Sequence, residues 1–148
     1  MTIHELSQLY YMNKDIQRLV DIRAKKAEQL KELVSRSTAI SGMNMSGMPR
    51  ASTPRNRIEE IIAQIDAKER EILVLDQQIR KKRIRYDAVE QELEAAIDRC
   101  EDFRIALILK YRFIDLLTWQ QIANRIGGNN TSDGVRKAAN RYIREKMT

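Results

Sequence analysis

A seven-residue hydrophobic repeat between Arg57 and Ala96 is the strongest constraint on the fold of this chain. Ten of its twelve a and d positions are apolar, and Lys68 and Lys82 fill the other two. A repeat held this long predicts a coiled-coil helix, in which a seam lysine weakens packing locally while fixing register or oligomeric state. The apolar seam residues are Ile58, Ile61, Ile65, Ile72, Leu75, Ile79, Tyr86, Val89, Leu93 and Ala96.

Another long helix is predicted over residues 1–35. Apolar residues recur there every three or four positions from Ile3 to Val34, with no Pro or Gly to interrupt them. Residues 36–56 are rich in Ser, Thr, Gly, Pro, Met and Asn, which is typical of a flexible linker. The methionines at 43–48 are alternatively suited to a recognition loop. The first hundred residues are therefore interpreted as helix 1–35, linker 36–56 and helix 57–100.

The partner of the seam is left open by the sequence. The first helix can fold back across the linker as an antiparallel hairpin, or the second helix can pair with its counterpart in another copy of the chain. The less regular spacing of the first helix favours a hairpin that also dimerises, so that the protein is a homo-oligomer. The basic run from Arg80 to Arg85 is interpreted as a solvated face, with DNA backbone contact as the alternative.

Composition and charge favour an all-α protein with an anionic partner. Aromatic residues make up 5% and charged residues 32% of the chain, a balance typical of long helices. Residues 57–102 carry nine basic against thirteen acidic side chains, whereas residues 103–148 carry nine against three. The basic excess therefore lies in the tail, where a polyanion would release counterions on binding.

Several function classes lack their characteristic residues. Cys100 is the only cysteine and His4 the only histidine, and there is no Gly-rich phosphate loop, HExxH, GxSxG or CxxC motif. We therefore expect no enzyme, no cofactor and no metal site. No run of about 18 apolar residues and no export signal is present, which predicts a cytoplasmic protein that does not enter membranes.

Residues 101–148 predict three short helices. The first ends near Ile114, and its apolar stripe is Phe103, Ala106, Leu107, Leu109 or Ile108, and Tyr111. Thr118 and Gln121 have the spacing of a capping box, so they predict the start of the second helix, which ends at Gly127. Trp119, Leu107 and Tyr142 are expected to complete the core.

The third helix is predicted to be two-faced. Thr131 or Ser132 is its expected N-cap, and Val135, Ala138, Ala139, Tyr142 and Ile143 form its apolar stripe. Two short helices joined by a glycine turn, with a basic outer face on the second, indicate a helix-turn-helix that enters a DNA major groove. The alternative is a plain three-helix bundle with a solvated basic face. The predicted outer face carries Arg136, Lys137, Asn140, Arg141 and Arg144.

Two stretches carry a family resemblance: LTWQQIANRIG, residues 117–127, and TSDGVRKAANRYIREKM, residues 131–147. They resemble the C-terminal domain of bacterial sigma factors that reads the upstream promoter element. The whole layout is similar to small phage and prophage regulators of Gram-positive bacteria, of the RinA and ArpU late-gene activator type. The resemblance implies a phage-encoded, sequence-specific transcription regulator that binds double-stranded DNA and contacts RNA polymerase or another protein.

The resemblance also implies specific DNA contacts. Carried over by position, they fall on Ser132, Asp133, Arg136, Lys137 and Arg141. The family places large polar residues where this chain has Ser132, Asp133 and Gly134, so base reading would move towards Asn129, Asn130 and Arg136. Two other functions fit the same layout, namely a phage DNA-packaging subunit of the small-terminase kind and a protein-interaction subunit.

Overall fold

The computed structural model describes residues 2–43 and 53–147, and it confirms the predicted all-α class within them: they form helices and contain no strand. None of the described helices is long and apolar enough to cross a lipid bilayer. Helices α4 and α6 continue into the π-helical segments Lys110–Ile114 and Ile143–Met147. The helices are α1 (Ile3–Leu6), α2 (Gln8–Met43), α3 (Thr53–Asp98), α4 (Phe103–Leu109), α5 (Trp119–Ile126) and α6 (Ser132–Tyr142).

Both long helices extend into the predicted linker. Helix α2 continues through residues 36–43 and α3 already begins at Thr53, so the linker prediction is wrong for those residues. The Thr38 hydroxyl donates to the Val34 carbonyl at 3.1 Å and Arg36 pairs with Glu32 at 2.8 Å, contacts that satisfy polar groups along the helix surface. Residues 44–52, which include Met45 and Met48 of the suggested recognition loop, lie outside the described residues.

The chain divides into two compact units. One comprises Ile16–Lys81 and is named here the two-helix unit. The other comprises Met1–Asp15 together with Lys82–Thr148 and is named the terminal unit. The sequence placed a domain boundary near residue 100, whereas the terminal unit joins the C-terminal helices to the outer ends of both long helices.

In the two-helix unit, α2 and α3 run antiparallel. Arg23 pairs with Asp76, Lys26 with Glu71 at 2.8 Å, and Lys68 donates to Gln29 at 3.1 Å, so residue numbers rise along one helix as they fall along the other. The core cluster of this unit is small. It consists of Leu19, Leu75 and Ile79, with Val20 and Ile22 packed against it.

The packed face of α3 is the face predicted from its repeat. Of the twelve seam residues, Lys82 alone is exposed, and the others are buried or half-buried. The seam lysines meet polar partners, since Lys82 pairs with Asp15 and Lys68 lies 3.3 Å from Glu71 as well as contacting Gln29. Each seam lysine thus contacts a polar side chain of the facing helix α2, and Lys68 contacts one on α3 as well.

The terminal unit has a much larger core. Helices α4, α5 and α6 surround it together with Leu6 of α1, Leu9 of α2, and Leu93 and Ile97 of α3. Trp119 and Tyr142 are half-buried and pack against this core, as expected.

The inner face of α4 was predicted in part, since Ile108 and Leu109 are buried and Ala106 and Tyr111 pack against the core. Phe103 is 90% exposed and Leu107 is 43% exposed, so the expectation that Leu107 completes the core is wrong. The buried residues are Ile105, Ile108, Leu109 and Phe113, at the three, four and eight residue spacing of one helical face. These side chains meet the apolar ends of the long helices, a contact that the short helix alone does not reveal.

Candidate nucleic-acid interface

Helix α5 begins with the predicted capping box. The Thr118 hydroxyl oxygen accepts a hydrogen bond from the Gln121 backbone N–H at 3.2 Å, and the Gln121 side chain accepts one from the Thr118 backbone N–H at 2.9 Å. Two of the free N–H groups at this helix start are thereby satisfied. The cap fixes where α5 starts, and its apolar residues Ile122 and Ala123 are buried in the core.

The turn after α5 depends on glycine and on Asn130. Gly127 and Gly128 have φ values of 74° and 66°, in the left-handed region that glycine adopts without steric cost. The Asn130 side chain donates to the Gly127 carbonyl at 2.7 Å and accepts from the Arg104 guanidinium at 2.9 Å. Asn130, one of the predicted base readers, therefore already holds the turn and ties it to α4, whereas Asn129 is exposed.

Helix α6 is capped by Thr131 rather than Ser132. The Thr131 hydroxyl oxygen accepts from the Gly134 N–H at 3.0 Å. A Cβ on residue 134 would lie 3.0 Å from the same hydroxyl oxygen, tighter than most contacts of its kind, so Gly134 gives the cap its room. Ser132 becomes the first residue of the helix and is half-buried.

One face of α6 is closed off by the core. Val135, Ala139 and Ile143 are fully buried together with Ile122 and Ala123 of α5. Buried alanines on both helices allow the two backbones to approach closely. The face of α6 opposite these residues must therefore point to solvent.

The solvent face of α6 is basic. Arg136, Lys137, Arg141 and Arg144 are exposed, as the sequence predicted, and Asn140 is half-buried. The positive charges of Arg136 and Lys137 therefore lie on the outer surface of α6.

Asp133 modifies that charge. Its carboxylate lies 2.5 Å from the Arg136 guanidinium and 2.9 Å from the Lys137 ammonium group. Hydrogen bonds from Lys137 and then Arg136 hold the pKa of Asp133 below its usual value. At neutral pH the three side chains together contribute one net positive charge. Asp133, predicted as a DNA contact, is thus also the counter-ion of the two leading cations.

Three further basic residues of the terminal unit, Arg104, Arg125 and Lys146, were not predicted from the sequence as part of the interface. Arg104 is exposed on α4 and bonds Asn130, so it adjoins the turn that precedes α6. Arg125 and Lys146 are also exposed, and the Arg125 guanidinium lies 5.7 Å from the centre of the Tyr111 ring. The basic excess of residues 103–148 was the signal that could have pointed to them.

Comparison with known proteins adds no relative. No protein-family model matches the chain, and no significantly similar curated protein or solved structure was found. In the described part of the chain, no three or more His, Cys, Asp or Glu side chains are grouped so that they could hold a metal ion.

Proposed function

We propose that α5, the turn at 127–131 and α6 act as a helix-turn-helix that binds double-stranded DNA, and that the protein is a transcription regulator. The observation that carries the proposal is the two-faced α6, which is buried through Val135, Ala139 and Ile143 and basic on the opposite side. A helix anchored in this way can lie in a major groove with its polar side chains towards the bases and phosphates.

The outer residues suit different parts of the duplex. Asp133 restrains the Arg136 guanidinium at the start of α6, and a guanidinium held in one plane is suited to two hydrogen bonds with a guanine edge. Arg141 and Arg144 lie further along the exposed face, where basic side chains would contact phosphates and fix the position of the helix.

Paired charge removal tests the DNA contact. Binding of a fluorescent duplex is measured by anisotropy over a range of KCl concentrations, for the parent and for Arg136→Gln with Lys137→Gln. We expect weaker binding and a salt slope smaller by about 0.9 for each phosphate that is no longer neutralised. The matched control is Lys25→Gln with Lys31→Gln, which removes the same charge from exposed positions of α2. Equal weakening in both double variants would contradict the assignment to α6.

Regulation is distinguished from DNA packaging by sequence preference and mass. We expect selection from a random duplex pool to return one preferred site, bound by a small oligomer measured in the same buffer. A large ring without sequence preference would instead indicate packaging, and absence of DNA binding would indicate an interaction protein.

Self-association through the long helices belongs to the same proposal. Ile62 and Leu73 lie on α3 outside the seam, eleven residues apart and therefore on one helical face, and both are more than half exposed. Apolar side chains repeated along such a face are suited to pack against a second copy of the chain. RNA polymerase is a further proposed partner, on the resemblance alone.

A further inference from the structure

The terminal unit contains a cleft of about 380 Å³ that the proposed DNA contact does not use. Its lining includes Leu6 and Tyr10 from the start of the chain and Arg112, Phe113, Leu116 and Thr118 from the segment between α4 and α5. This volume lies in the range of small-molecule sites, which are usually apolar with a few placed polar groups. Here the apolar side chains share the lining with the Arg112 guanidinium, two tyrosine hydroxyls and the polar side chains of Ser7 and Thr118.

Arg112 is the charged group of the cleft. Its guanidinium donates to the Leu117 carbonyl at 3.0 Å and lies 4.5 Å from the centre of the Trp119 ring. It forms no ion pair with any described residue, whereas Arg23, Arg36 and Arg136 each pair with a carboxylate. Arg112 therefore brings a positive charge to the cleft without an acidic side chain to balance it.

The partly buried position of Arg112 makes an anionic partner favourable. Burial lowers the pKa of Arg112, although a guanidinium stays charged at neutral pH. A partly buried charge without a counter-ion is unfavourable, and a guanidinium can bind a carboxylate through two parallel hydrogen bonds. The ring contact with Trp119 and the bond to Leu117 hold the group in one orientation.

The rest of the cleft lining favours an anion that also carries an apolar group. Leu116 and the exposed rings of Tyr10 and Tyr11 present apolar surface beside Arg112, and the two tyrosines add hydroxyls. Inorganic phosphate would satisfy the guanidinium but would leave this apolar surface in water. A molecule with an apolar body and one carboxylate satisfies both.

We propose that the cleft binds a small aromatic or branched aliphatic carboxylate, with its carboxylate on Arg112 and its apolar body against Leu116 and the rings of Tyr10 and Tyr11. The site lies apart from the outer face of α6, and its occupancy does not require that α6 bind DNA. The inference therefore stands or fails independently of the proposed function.

Benzoate titration of the full chain tests the site. Trp119 is the only tryptophan and contacts Arg112, so its fluorescence reports on the cleft, with excitation where benzoate does not absorb. We expect a saturable change with a Kd of about a millimolar, as suits so small a ligand. Arg112→Gln should weaken binding at least about tenfold, and Arg112→Lys less, because the charge remains while the planar fork is lost.

Matched variants separate the cleft from other effects. Arg125→Gln removes another guanidinium that lies over a ring but does not line the cleft, so it should leave benzoate binding unchanged. Leu116→Asn removes apolar wall at a residue with φ 59°, which asparagine tolerates, and should weaken binding at least about threefold.

Three results would overturn the proposal. These are a linear response to benzoate without saturation, inorganic phosphate binding as tightly as benzoate, and full binding by the Arg112→Gln variant. Circular dichroism melting verifies that each variant is folded. If Arg112→Gln does not fold, Leu116→Asn decides, and unchanged benzoate affinity in that variant counts against the site.

Discussion

The two units of the molecule use similar helices but hold them together differently. The core cluster of the two-helix unit has three buried side chains, and polar pairs such as Lys26 with Glu71 accompany them. The terminal unit buries fourteen residues in one cluster. Two helices contact each other only along a narrow strip, whereas several short helices can enclose a side chain on all sides. The number of helices around an apolar residue therefore decides how much its burial contributes to the stability of the fold.

The largest expected effect is in the terminal core. Ile122 is fully buried, so Ile122→Ala should lower the free energy of unfolding by about 2–5 kcal/mol, because transfer energy is forfeited and a cavity is left behind. Urea unfolding followed by Trp119 fluorescence measures it. Leu75→Ala, in the small core cluster of the two-helix unit, should cost less by circular dichroism because solvent and neighbours can fill its place. Equal costs would break the comparison between the units.

The second-largest loss of stability is expected when a charge is placed in the seam. Ile72 is a half-buried seam residue, so Ile72→Asp should destabilise the two-helix unit by about 1–3 kcal/mol and lower the helical signal. The neighbouring Leu73 is 59% exposed, so Leu73→Asp should leave helix content unchanged while reducing the mass of any oligomer in sedimentation. Loss of helix in both variants, or in neither, would show that the seam does not hold α2 and α3 together.

A smaller effect is expected at the turn of the terminal unit. Gly127 has φ 74° and ψ −164°, a conformation that costs a non-glycine residue about 1–3 kcal/mol. Gly127→Ala should therefore lower the melting temperature, with exposed Asn129→Ala in the same turn as the control that changes little. A melting temperature identical to the parent would mean that the turn relaxes freely and that core packing alone positions α6.

The smallest effect is the acid sensitivity of the two-helix unit. Hydrogen bonds from Lys26 and Lys68 hold the pKa of Glu71 below its usual value. A lowered pKa in the folded state contributes stability that is fully present above the ordinary glutamate pKa and is lost as the pH falls through the lowered one. Glu71→Gln should flatten the fall of helical signal over this range, and exposed Glu69→Gln should not. An unchanged profile in Glu71→Gln would assign the acid response to other carboxylates.

Local patterns predicted the parts of the fold that are fixed locally. The capping box of Thr118 and Gln121 and the end of α5 at Gly127 depend on residues a few positions apart, and the seam depends on a regular repeat. The face of α4 was predicted only in part, because Ile105 packs in one core with distant residues such as Leu93. The extension of α2 was missed because Thr38 satisfies its hydroxyl on the preceding turn, which composition does not reveal.

The candidate interface was predicted in the same uneven way. Exposure of Arg136, Lys137 and Arg141 follows from helical periodicity, and it is confirmed. The pairing of Asp133 with both leading cations and the internal bonds of Asn130 depend on side-chain conformations, which a sequence pattern does not specify. Arg112 was overlooked because its neighbours come from separate parts of the chain.

Asp133 has a consequence for how α6 would choose among DNA sites. A phosphate that reaches Arg136 or Lys137 exchanges one anionic partner for another, so the net gain is the difference between two similar interactions. Encounters with arbitrary stretches of duplex would then be brief, and only a stretch offering additional base hydrogen bonds would retain the protein. A side chain that reduces overall attraction would in this way sharpen discrimination.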